Sequence, residues 1–129
     1  MQLIKIHFWA LLLCFGASGS FAQNNNNTPP AFKGGEDSLM IFLGNNIQKP
    51  DCEKSPEIDS AVDVTVNVHF IIDAHGNAVQ LKSDSKCPQC FIDEAIRTIR
   101  LTSGKWIPGT VNGVFVDTQC ILPISFAKK

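Results

Sequence analysis

Charge is scarce in this chain and neither sign dominates. Charged residues make up 18% of the sequence, and eleven basic against twelve acidic side chains leave a net of −1. That balance gives no electrostatic handle for nucleic acid or for an anionic membrane surface, so neither is expected as a partner. Repeats are absent, as are a Ser-His-Asp order, a phosphate-cradling glycine loop and a strip of interleaved basic and aromatic residues. His69 and His75 are too few and too scattered to frame a metal site, and no metal or cofactor is expected. With 129 residues there is no room for a catalytic domain with a separate substrate lobe. Long apolar runs are missing too. The longest candidate, residues 8–16, falls short of the roughly 20 residues that a spanning helix needs.

What is present begins with an export signal. Residues 1–22 read as a cleavable leader. Lys5 supplies the positive start, residues 8–16 the apolar centre, and Ser20-Phe21-Ala22 small residues at −3 and −1 of a cut before Gln23. The expected location is periplasmic, without stable membrane insertion once the leader is cut; an uncleaved leader acting as a membrane anchor is the alternative. Four cysteines would remain after cleavage: Cys52, Cys87, Cys90 and Cys120. An even count in an exported small domain favours disulfides, with three possible pairings that the sequence leaves open.

Residues 23–30, with Asn24-Asn25-Asn26-Asn27 before Thr28-Pro29-Pro30, read as a flexible linker with nothing to bury. The domain proper is placed at 31–129. A first helix is predicted over 37–47, with Leu39, Met40, Leu43 and Ile47 on its apolar face and Pro50 as its stop. Residues 61–73 alternate strictly enough to be a half-buried strand, with Val62, Val64, Val66, Val68, Phe70 and Ile72 inward. Asp73-Ala74-His75-Gly76-Asn77 is a turn into a second strand carrying Val79 and Leu81. A second helix is predicted over 91–101, burying Ile92, Ala95, Ile96 and Ile99 and leaving Asp93, Glu94, Arg97 and Arg100 to solvent. Trp106 is expected as a core anchor. One last strand is predicted over 114–126, with Val116, Thr118, Cys120, Leu122, Ile124 and Phe126 on its core face. Pro123 within it argues for an open edge. The sum is an α+β fold, a two-layer sandwich with a small antiparallel sheet in a β-β-α-β core and a preceding N-terminal helix.

Cys87-Pro88-Gln89-Cys90, just ahead of the second helix, is the one motif with catalytic chemistry in reach. A thiolate at a helix N-terminus is stabilised by the dipole, which suits thiol–disulfide exchange. The β-hairpin ahead of it is not the parallel crossover of a thioredoxin-like unit. A structural disulfide is therefore the leading expectation, and a small periplasmic thiol–disulfide protein the alternative.

Four stretches in order resemble the TonB C-terminal domain family, in the form common in Bacteroidota-type bacteria. They are Pro30-Ala31-Phe32-Lys33-Gly34-Gly35-Glu36 with Leu39, Phe42, Leu43, Asn46 and Pro50; the alternating strand running into Asp73-Ala74-His75-Gly76-Asn77; Ala95-Ile96-Arg97 followed by Trp106-Ile107-Pro108-Gly109; and Leu122-Pro123-Ile124-Ser125-Phe126. The resemblance implies a non-enzymatic periplasmic module for energy-coupled transport, whose partner is a segment of an outer-membrane transporter added as a strand to the sheet edge. On this chain the docking residues would be Thr118, Gln119, Ile121, Pro123 and Ser125. A homodimer through the same edge, and a disulfide-stapled domain binding some other partner, are further readings. The chain departs from the family in lacking a long Pro-rich spacer and in carrying Ser60-Ala61 where a glycine usually enters the long strand. About ten linker residues reach at most roughly 35 Å, far short of a tether between two membranes.

Overall fold

The computed structural model describes residues 4–5, 13–15, 27–48, 50 and 64–128. Cys52, Val62, the Ser60-Ala61 pair and the Ser20-Phe21-Ala22 cleavage sequence lie outside the described residues. The architecture is α+β, two helices against an antiparallel sheet. In chain order the elements are β1 (Ile4–Lys5), β2 (Leu13–Phe15), β3 (Ala31–Phe32), α1 (Gly35–Asn46), β4 (Val64–Ile72), β5 (Ala78–Lys82), α2 (Gln89–Arg100), β6 (Trp106–Ile107), β7 (Gly109–Val111), β8 (Val114–Val116) and β9 (Thr118–Lys128).

The main sheet is built around β4. Its alternation of β-branched and polar residues buries Val66, Val68, Phe70 and Ile72 and leaves Thr65 and Asn67 exposed. β5 pairs with it on one side across the turn at Asp73-Ala74-His75-Gly76-Asn77. The Asp73 carboxylate accepts the N–H groups of His75 and Asn77, each at 2.9 Å. Those bonds, that of Asn77 foremost, hold its pKa below the ordinary range. Gly76 takes the positive φ of 86°, and a Cβ there would run into the Trp106 carbonyl oxygen. That close approach lets the Gly76 carbonyl accept the Gly104 N–H at 2.9 Å, tying the turn to the segment after α2.

β9 pairs with the other side of β4 from Val64↔Phe126 to Ile72↔Thr118. Its inward set, Thr118, Cys120, Leu122, Ile124 and Phe126, is buried. α2 lays Phe91, Ile92, Ala95 and Ile99 into the same core. Trp106 is 1% exposed, as its reading as an anchor required. Its ring meets Phe32 edge-on at 5.2 Å and Phe70 at 5.8 Å, and its indole N–H donates to the Thr102 hydroxyl at 2.8 Å.

Five expectations are corrected. The last strand is two strands: β7 and β8 form a separate hairpin, and β9 starts after it. Asn112 and Gly113 both have positive φ, 52° and 77°, the signature of a tight hairpin turn. Residues 27–30 are not a loose linker. Thr28 and Thr110 exchange both backbone bonds at 2.9 Å, the Asn112 N–H donates to Asn27 Oδ1, and Pro30 is buried. On α1, Met40 faces solvent while Phe42 packs against the core, its ring 5.8 Å from Phe32. α2 starts two residues earlier than predicted, at Gln89, and ends at Arg100.

Glu94, fifth, is buried rather than solvated. It holds the two helices together. Its carboxylate accepts two bonds from Arg97 at 2.7 and 2.8 Å and the Gln48 N–H at 2.6 Å, while Arg97 also donates to the Asn46 carbonyl at 2.7 Å. Burial alone would raise its pKa. The bonds from Arg97, Gln48 and Thr98 outweigh burial and hold it below the ordinary value.

Candidate functional site

A strand adds to a sheet where backbone N–H and C=O groups point past the last rung of the ladder. Which groups on β9 do so follows from one bond on the far side of β4. The Asn67 N–H donates to Ser85 Oγ at 2.8 Å, away from β9. The Asn67↔Pro123 pair is therefore one that exchanges no ladder bonds, and Pro123 directs its nitrogen outward. With period 2, Gln119, Ile121 and Ser125 likewise point their N–H and C=O groups outward, while Cys120, Leu122 and Ile124 bond to β4. The outward set is thus the donor and acceptor row of the edge. A proline is tolerated at 123 because the N–H it lacks is not needed by the ladder.

The same four residues lie on the solvent face of the sheet, opposite the helices. They stand beside Thr65, Asn67, His69 and Ile71 of β4, and the Thr65 and Ser125 hydroxyls are 3.1 Å apart. A hollow of about 240 Å³ opens on this face, lined in part by His69, Ile71, Gln80, Lys82, Gln119 and Ile121. Asp84 approaches His69 Nε2 at 3.5 Å, but at 88% exposure it is a solvated pair of little energetic weight. Thr118, expected among the docking residues, is 2% exposed and belongs to the core face.

The edge is not empty in the full chain. β2 pairs antiparallel with it through Leu13↔Ile121, Cys14↔Cys120 and Phe15↔Gln119, and β1 through Ile4↔Lys128 and Lys5↔Ala127. The expectation of an edge open along its whole length is corrected accordingly. The chain's own N-terminal segment supplies extended backbone to the outward row, and such backbone adds wherever donors and acceptors are unmet.

The cysteine motif also differs from its expectation. Cys90 and Cys120 are in disulfides, whereas Cys87 is a free thiol, so the Cys87–Cys90 bridge is not formed. The reason is local. Pro88, with extended backbone, is the N-cap of α2, which leaves Cys87 outside the helix in a bend and places Cys90 inside the first turn. Partial burial pushes the Cys87 thiol up, the reverse of what exchange chemistry needs. Among the described residues no group of three or more His, Cys, Asp or Glu side chains is arranged to hold a metal ion.

Ser85 was invisible to sequence reasoning, since nothing in a serine after a strand says that it will cap the backbone of a neighbouring one. Comparison with protein-family models, curated proteins and solved structures finds no match for the chain.

Proposed function

We propose that the chain is a non-enzymatic periplasmic interaction module resembling the TonB C-terminal domain, which takes up a segment of an outer-membrane transporter as an added strand on β9. The observation that carries this reading is the pairing of β2 with Gln119–Ile121: the outward row of β9 accepts an antiparallel strand within this very chain. Export with removal of residues 1–22 takes β1 and β2 away and leaves that row vacant. Its backbone groups then lose their partners, and an incoming segment restores them while adding side-chain contacts on the solvent face. The raised Cys87 thiol speaks against the thiol–disulfide alternative.

Ile121→Pro tests the docking. Because the Ile121 N–H faces outward, a proline there spares the β4 ladder and removes a docking donor, as Pro123 already does two residues on. Binding of periplasm-facing transporter segments, measured by titration calorimetry, should fall by at least about tenfold, the worth of a lost bond plus a blocked approach. The thermal midpoint should move little. Equal binding by wild type and variant, or no binding of such segments to either, overturns the proposal.

A further inference from the structure

We infer that Pro123 divides the docking edge into two short runs, so that the partner it fits is an extended segment whose paired stretch ends, or carries its own break, opposite that proline. This rests on the docking role proposed above and says what kind of segment can fill it. Three observations meet here. The Asn67–Ser85 bond fixes the direction of Pro123, so the donor missing from this residue is missing from the outer row and not from the ladder. On that row the pattern reads donor at Gln119, donor at Ile121, none at 123, donor at Ser125.

Among the described residues, β2 meets this row at residues 119–121 and β1 at residues 127–128, on either side of Pro123. Over the interval holding Pro123, β9 is bonded to β4 alone among the described residues. A segment laid continuously across 119–125 would leave a carbonyl facing the proline ring with no N–H to meet it. An unmet carbonyl costs more than the bond beyond it returns. A short segment with a proline, a bulge or its end at that register escapes the cost.

Two measurements test this. In the full chain, with β1 and β2 in place, amide exchange followed by NMR should show the Gln119 and Ile121 N–H groups slowed and that of Ser125 exchanging freely. In the exported chain, two soluble Thr-Val alternating peptides serve as probes. The short one is long enough to pair with Gln119–Ile121 only, and the long one reaches past Ser125.

On the wild type the two should bind alike, within about twofold. On Pro123→Ala, which restores the donor, the long probe should gain about tenfold over the short one and slow the Ser125 amide. A long probe that already gains on the wild type, or gains nothing on Pro123→Ala, overturns the inference, as does a Ser125 amide slowed in the full chain. Synthetic probes keep the outcomes separate. An edge that divides as stated but takes up no transporter segment sinks the proposed function and leaves the division standing.

Discussion

Along β5 the sheet ends in five residues; on the other side of β4 runs β9, eleven residues long, with β1 and β2 paired to parts of its outer row. The β5 side is also bent. Its register with β4 shifts between His69 and Ile71, Gln80 sits in the left-handed region at φ 55°, and the strand closes on an exposed lysine, Lys82. A short, bulged, charged border is the usual defence against unwanted pairing. The β9 side keeps regular register with β4 over nine consecutive pairs and interrupts its outer row only at Pro123. One border is shaped to refuse a strand, while the other is long and regular enough to take one in a restricted place. Opposite borders of one sheet thus differ in length and in backbone geometry.

Both borders rest on the same core. Trp106→Ala should have the largest effect, destabilising by about 3–5 kcal/mol because a fully buried aromatic leaves a cavity between Phe32 and Phe70. Urea melts give the size. Amide exchange should rise at β5 and β9 together; a rise confined to one border would break the idea of a shared foundation.

The helix layer behind the sheet comes next. Glu94→Ala strands Arg97 and the Gln48 N–H and should cost about 2–3 kcal/mol, less than a fully buried pair because the Arg97 side chain is 39% exposed. The wild type should also lose stability in acid. The folded pKa of Glu94 lies below its ordinary value of 4.5, so its contribution is full above that value. It drains as pH falls through 4.5 toward the lower folded pKa. Glu94→Gln should flatten that part of a stability–pH curve, and an unchanged curve would show that other carboxylates govern it.

The smallest effect sharpens the contrast directly. Gln80→Gly relieves a left-handed backbone position and should stabilise by about 0.5–1 kcal/mol, the relief being partly offset by the freer unfolded chain. The shift in urea midpoint reads it. Peptide binding at β9 should not change.

Much of this was legible in the residues. Alternation in β4 gave its buried face because period 2 is a property of the strand alone, and Trp106 had no other place to hide so large a ring. The β7–β8 hairpin was missed although Asn112-Gly113 announces it, because Val114 and Val116 run in step with Thr118 and Cys120 across Asp117 and read as one strand with β9. Glu94 was misread for a different reason. Its helical position is polar by pattern, and only the approach of the α1 C-terminus turns that spot into a buried pocket with donors. The docking row shows the same limit. Sequence told which β9 side chains face solvent, but the bond from Asn67 to Ser85, made on the opposite side of β4, told which way the backbone points. For the cysteines, spacing suggested a bridge that the helix start, set by Pro88, does not form.

The seat of Asn27 and Thr28 on the β7–β8 hairpin has a mechanical side. A pull applied at Asn27 toward the N-terminus would load the paired bonds between Thr28 and Thr110 before those further along the chain. Behind them stands the two-residue pairing of Ala31 and Phe32 with Ile107 and Trp106. Tension would be spent there, ahead of the long β4–β9 seam.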